Sequence, residues 1–142
     1  MSDFTARNIA EFRATGGKVA SFGDAPLLLL TTIGAKSGAE RVNPMMYLAD
    51  ADDPDRVYVF ASKAGAETDP AWLVNLVAHP HEVTVEIGDE TAAADAEVLG
   101  EPARTEVYAE QAARYHGFAD YAAKTARVIP VVALTLRRGG AS

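Results

Sequence analysis

The sequence predicts a small α+β barrel, and three observations carry that prediction. Short apolar or alternating runs bounded by Gly, Pro and Asp recur along the chain, as strands do. One helical run interrupts them and a second precedes the last of them. Strands and helices do not alternate regularly, as a βαβ sandwich would require.

Asn8–Arg13 reads as a short helix that stops at Gly16-Gly17. Pro26–Ile33 is an apolar, partly β-branched run ending at Gly34, the pattern of a buried strand. After a turn over Gly34–Gly38, Arg41–Leu48 is a second strand. It contains Pro44, which lacks a ladder donor and therefore marks an edge, a bulge or a bend. The acidic loop Asp50–Asp55 leads to a third strand, Arg56–Ser62, which ends at Lys63 before a loop bearing Gly65. Pro70 suits a first helical turn, and the helix runs through Ala78 until His79-Pro80 stops it. Val83–Ile87, the Gly88-Asp89 turn and Thr91–Leu99 form a hairpin. One helix over Glu101–Tyr115 and a closing strand, Val128–Leu136, interrupted by Pro130, complete the order. The expectation is a single domain over 1–142, with 1–25 as helix and lead-in and 26–136 as the barrel.

The chain has 142 residues, 49% of them apolar, enough for one substantial core. It has no Cys, which excludes disulfides, thiolate nucleophiles and Cys-held metal centres and fits a reducing interior. A formal net charge of −7 argues against general nucleic-acid binding, because backbone affinity comes from clustered cations. Charges throughout Met1–Ala14 do not fit a signal peptide, and Ala25–Thr32 is far too short to span a bilayer, so a cytoplasmic protein is expected. Phe4, Ile9 and Phe12 can line one side of the first helix. Peripheral contact with the membrane inner face is one reading of that stripe; packing on its own domain or on a partner subunit, as in a homodimer, is the favoured one.

Gly34-Ala35-Lys36-Ser37-Gly38 has the makings of an anion loop, since glycines let backbone N–H groups approach while Lys and Ser add donors. It is not a Walker loop: the spacing is wrong, and Arg41-Val42-Asn43-Pro44 opposes the helix that motif needs. An ordinary hairpin turn with a solvated lysine is the competing reading. Lys36, Arg41 and Lys63 stand at the ends of successive strands, whereas Ala64–Ala103 contains no Lys or Arg at all. A local basic pocket on an acidic protein selects an anion by its local field. His79-Pro80-His81 lacks further ligands at metal spacing, so no metal is expected. His116 reads as an exposed histidine at a helix end.

Leu27–Leu48, LLLLTTIGAKSGAERVNPMMYL, resembles the opening block of the deazaflavin-dependent nitroreductase and quinone reductase family: an apolar strand, T-x-G-x-K-[ST]-G, then R-x-N-P. Phe60–Ala66 and Asp69–Leu76 resemble its second block, A-S-K-x-G-A and P-x-W-x-x-N-L. Arg114–Tyr121 and Arg127–Val132 are similar to its C-terminal blocks, so the likeness runs in order from Pro26 to Leu136. The resemblance implies a split β-barrel, mostly antiparallel with peripheral helices. It also implies coenzyme F-420, an 8-hydroxy-5-deazaflavin with a phosphodiester and a polyglutamate tail, that passes a hydride to a quinone, nitro compound or other electron-poor acceptor.

By the same resemblance, Lys36, Ser37, Arg41 and Asn43 hold the phosphate and acidic tail, reinforced by Lys63, Gly65 and Ala66. Pro44 and Met46 border the ring, and Trp72 and Asn75 close its other side. Ser62 is a hydrogen-bond donor at the reacting face, and Tyr115 and Tyr121 line the acceptor side with Phe118 between them, where some family members carry Tyr. A phenol both stacks on a flat acceptor and donates a proton to a developing oxyanion. Two alternatives use the same barrel differently: an FMN-dependent oxidase or reductase, and a carrier of the coenzyme or of a lipophile without turnover.

Overall fold

In the computed structural model the described residues are 3–23, 25–62, 69–126 and 128–137. Among them, α1 spans Asp3–Thr15 and a single 3-10 turn covers Ala20–Phe22. The strands are β1 Leu27–Ile33, β2 Glu40–Met46, β3 Leu48–Ala49, β4 Arg56–Phe60, β5 Val83–Ile87, β6 Glu90–Val98 and β7 Val131–Arg137. Helix α2, Ala71–Ala78, lies between β4 and β5, and α3, Ala103–Arg114, with α4, His116–Lys124, precedes β7.

All neighbouring strands pair antiparallel in the order β2-β1-β5-β6-β7-β4-β3. The two ends of that order are consecutive in the chain. Only Tyr47 separates β2 from β3, and its N–H donates to the Pro26 carbonyl at 3.3 Å. The long second strand expected around Pro44 is thus bent at Tyr47 so that its halves sit on opposite ends of the sheet, which closes a split barrel. Pro44 faces Leu29 across the β1 ladder on a strand with no other ladder neighbour, the edge position its missing donor requires.

Strand alternation explains the apolar run at 27–30. Leu28 and Leu30 point into the barrel with Val57, Val59, Val83, Val85, Val132 and Leu134. Leu27 and Leu29 point outward and are covered by Ile9 and Phe12 of α1. With both faces buried, the strand carries no polar alternation. The N-terminal helix therefore packs on its own barrel through Ile9 and Phe12; the side chain of Phe4 lies outside the described residues. Phe12 is 1% exposed, and truncating such a ring costs on the order of 3–5 kcal/mol.

Beta4 divides in the same way. Val57 and Val59 face inward, while Tyr58 and Phe60 face α3 and α4 through Tyr108 and Phe118. The sequence predicts one helix here, and the chain forms two. Tyr115 adopts an extended conformation (φ −134°, ψ 100°) that ends α3, its N–H donating to the Gln111 carbonyl at 2.9 Å, and α4 begins at once. Helix α2 plugs one end of the barrel with Trp72, Leu73 and Leu76. Its N-cap is Pro70, as expected, and it ends at His79, whose N–H donates to the Asn75 carbonyl.

Candidate functional site

The β1–β2 hairpin and the first turns of α2 enclose a groove of about 760 Å³. Gly34, Ala35, Lys36, Ser37, Arg41 and Asn43 line one side; Pro70, Ala71, Trp72, Val74 and Asn75 line the other. The turn is internally bonded. The Gly34 N–H donates to the Ala39 carbonyl at 2.8 Å, and the Gly38 N–H to the Gly34 carbonyl at 2.9 Å. Gly38 sits at φ +71°, a left-handed conformation that favours glycine. At Gly34 the reason is space: a Cβ there would lie 2.6 Å from the Ser37 hydroxyl oxygen. That oxygen also accepts the Ala39 N–H at 3.2 Å, so Ser37 is tucked over its own turn with its hydroxyl proton left to donate outward.

Asn75 fixes this turn to the barrel. Its Oδ1 accepts the Ala35 N–H at 3.0 Å, and its Nδ2 donates to Oγ1 of buried Thr32 at 3.2 Å. Both ends of its amide bind the protein, which makes Asn75 a brace for this turn. Trp72, 9% exposed, belongs to the barrel core and presents only an edge to the groove.

Several arginines elsewhere on the surface are paired, whereas Lys18 and Lys124, like the groove cations, have no carboxylate partner among the described residues. Arg13 binds Glu86 at 2.8 Å, Arg104 binds Glu101 at 2.9 Å, Arg114 binds Glu110 at 3.0 Å, Arg56 lies 4.0 Å from Glu97, and Arg137 pairs with Asp95. Among the described residues, neither Lys36 nor Arg41 has a carboxylate partner. Arg41 reaches only the Glu40 carbonyl, at 3.4 Å. Two exposed cations without counter-charges, side by side on a chain of net charge −7, form a local positive field.

A second pocket of about 440 Å³ opens at the other end of β2. Met46, Tyr115, Phe118 and Tyr121 line it, together with Gly117, Phe22 and Ala25. Phe118 is anchored in an edge-to-face aromatic cluster with Phe60, Tyr108 and Tyr121. The Tyr108 hydroxyl donates to the Phe118 carbonyl at 2.5 Å. From Arg41 to Met46 is five strand steps, roughly 17 Å.

The residues singled out from sequence therefore fall in two places. Lys36, Ser37, Arg41, Asn43, Trp72 and Asn75 meet in the groove; Met46, Tyr115 and Tyr121 meet in the aromatic pocket. Arg41 and Asn43 leave β2 on the opposite face from Pro44 and Met46, as alternation demands. Because β2 has no second ladder neighbour, a ligand lying along its edge can touch both faces. Ser62 is buried just beyond β4, next to Ala61, whose N–H donates to the Pro130 carbonyl. Lys63, Gly65 and Ala66 lie outside the described residues. Sequence reasoning missed Val74, 55% exposed on the groove wall, and Phe22 and Ala25 in the pocket. Val74 could have been found from its helical position beside Trp72; the α1–β1 connection carries no such signal. The described residues contain no cluster of His, Asp or Glu able to hold a metal ion, and no helix long and apolar enough to cross a membrane.

Residues 5–136 match the F420H(2)-dependent quinone reductase family. An F420H(2)-dependent quinone reductase of Mycobacterium tuberculosis is 33% identical over 136 residues, covering 90% of this chain and 87% of that protein. A solved F420-H2 dependent reductase, FDR-A, superposes with a TM-score of 0.67 at 34% identity over 77% of this chain and 93% of its own. A structure described as a domain-swapped dimer gives 0.69 at 31% identity, over 91% and 96%. An FAD-binding protein of Mesorhizobium loti, at 14% identity and a TM-score of 0.54 over 94% and 89%, shares the fold alone.

Proposed function

We propose, since this chain belongs to the F420H(2)-dependent quinone reductase family, that its groove holds the anionic tail of reduced coenzyme F-420 and its aromatic pocket receives the quinone. The observation that carries this reading is that Lys36 and Arg41 line one groove and neither has a carboxylate partner among the described residues. The donor set fits the coenzyme: cations and a hydroxyl for phosphodiester and glutamates, beside an apolar wall of Pro70, Ala71, Trp72 and Val74.

Lys36 and Arg41 bind the tail through charge-assisted hydrogen bonds, Arg41 as a planar fork. Ser37 donates its outward hydroxyl proton, Asn43 adds an amide, and Asn75 keeps the turn in place without spending its own polar atoms on the ligand. The family resemblance adds Lys63, Gly65 and Ala66 to the residues that bind the tail. Pro44 and Met46 border the ring along the open edge of β2. When bound, the coenzyme supplies a hydride from its C5 atom. Tyr115 and Tyr121 donate toward the acceptor oxygen, where negative charge develops as the hydride arrives; Ser62, buried beyond β4 and not among the residues that line this pocket, stands as a donor by the family resemblance alone. Hydride and one proton together convert quinone to hydroquinone, and the phenol recovers its proton from water. The rest of the protein's work is positioning and exclusion of solvent.

Nitro compounds and other conjugated acceptors belong to the same proposal, because an apolar aromatic pocket discriminates weakly among flat electron-poor molecules. A homodimer is the proposed assembly, supported by the likeness to the relative described as a domain-swapped dimer. The test is titration of the purified protein with coenzyme F-420 in the presence of FMN, followed by menadione addition to the reduced complex. Micromolar binding that FMN does not displace, with loss of the reduced coenzyme's absorbance, is expected. Displacement by FMN contradicts the cofactor assignment, and tight binding without oxidation makes the protein a carrier.

A further inference from the structure

Gln111 is 0% exposed, and neither its Oε1 nor its Nε2 has a hydrogen-bond partner among the described residues. A primary amide offers two donors and two lone pairs, and leaving them dry in a protein interior is costly, whereas Met or Leu would fill similar space without that cost. A group that supplies the missing partner therefore gains more at this place than at the surface.

The location says which group that is. Tyr108 and Gln111 lie one turn apart on the same side of α3, and Tyr115 follows directly as the residue that caps it. Tyr108 packs into the aromatic cluster through Phe60 and Phe118, and Tyr115, whose N–H binds the Gln111 carbonyl, lines the aromatic pocket. Gln111 thus stands in α3 between a residue packed against Phe118 and a residue that lines the pocket. Helix α4 is anchored at one residue, Phe118. Phe118 is its one buried side chain, Tyr121 is half-buried, and the other seven residues are exposed. A short helix with so few buried contacts is at the low end of local stability and shifts at small cost.

We propose that Gln111 is a specificity-determining residue for the acceptor: α4 yields when a quinone enters, and the Gln111 amide donates to one of the quinone's carbonyl oxygens. This rests on the aromatic pocket being the acceptor site. Acceptors lacking a carbonyl or an equivalent oxygen forfeit that bond and bind less well.

The test compares wild type, Gln111→Met and Tyr121→Ala in steady-state oxidation of reduced coenzyme F-420 by menadione. Hydrogen exchange over α4 of wild type with oxidised coenzyme, with and without menadione, is measured alongside. Gln111→Met is expected to raise the KM for menadione about tenfold, the loss of one hydrogen bond to a buried partner. Its coenzyme affinity should be unchanged and its Tm equal to or above that of wild type. Menadione should alter exchange in residues 116–124. An unchanged menadione KM in Gln111→Met while Tyr121→Ala raises it overturns the role of Gln111 and leaves the pocket standing. An unchanged KM in Tyr121→Ala overturns the acceptor pocket itself. Should Gln111→Met fail to fold, the wild-type exchange decides: no change over 116–124 on adding menadione contradicts the proposal.

Discussion

The two pockets at the ends of β2 are built on opposite principles. The groove at the hairpin end is charged, open and held by hydrogen bonds: Asn75 braces the turn while Lys36 and Arg41 stand exposed without counter-charges. The pocket at the Met46 end is aromatic and held by packing, with Phe118 wedged against Phe60, Tyr108 and Tyr121. The difference teaches a division of labour. Under the proposed function, affinity for a polyanion is gathered at the surface, where charge stays solvated, and the reacting ends meet where water is easiest to exclude.

That division breaks most visibly if the cations are removed. Lys36→Ala with Arg41→Ala should weaken binding of reduced coenzyme F-420 by roughly 100-fold, the sum of two charge-assisted contacts, with kcat at saturation nearly unchanged. Fluorescence titration at rising salt checks it, since wild-type affinity should fall with ionic strength and the variant's should not. At the other end, Tyr115→Phe with Tyr121→Phe should lower kcat for menadione by roughly tenfold, less than full loss of an acid because water can substitute. Coenzyme affinity measured by titration should stay the same. Smaller again is Asn75→Leu, which strands the Ala35 N–H and the Thr32 hydroxyl. A stability loss of about 1–3 kcal/mol by denaturant titration is expected, with a few-fold weaker coenzyme binding as the turn loosens.

The smallest effect lies away from both pockets. The Tyr58 hydroxyl donates to Asp50, whose carboxylate also accepts the Asp52 and Asp53 N–H groups, and these bonds hold the Asp50 pKa below its ordinary value. A depressed folded pKa contributes stability above the unfolded value of about 4 that is lost as pH falls through the folded one. Tyr58→Phe should therefore lower stability slightly at neutral pH, flatten the acid limb below about pH 4, and leave variant and wild type alike at the acid end. Acid unfolding followed by circular dichroism checks it.

Much of the fold was legible because the signals were local. The glycine pair at 16–17, Pro70, His79-Pro80 and the Gly88-Asp89 turn each punctuate an element within a residue or two of where the structure has it. Two features were not legible. The bend at Tyr47 puts two halves of one apparent strand on opposite ends of the sheet, and nothing in a period-2 pattern reports that closure. The split of α3 from α4 depends on the extended backbone of Tyr115, a conformation any residue adopts. For the site, the glycine-lysine turn was found from sequence, but its choice between anion loop and plain hairpin was not decidable locally. What favours the anion reading in the proposal is that Arg41 has no carboxylate partner among the described residues, a tertiary fact. Asn75 shows the converse: it was placed correctly beside the groove, yet a helical spacing cannot tell a ligand contact from a brace.

The central claim is that Lys36 and Arg41 grip the coenzyme's tail and nothing else. A binding cycle tests it directly, pairing wild type and Arg41→Ala with reduced coenzyme F-420 and with the same deazaflavin lacking phosphodiester and glutamates. The account predicts that wild type prefers the full coenzyme by roughly 100-fold and that Arg41→Ala loses about tenfold of that preference while binding the tail-less form as wild type does. Equal losses of both ligands in Arg41→Ala would contradict it and move Arg41 from the tail to the ring.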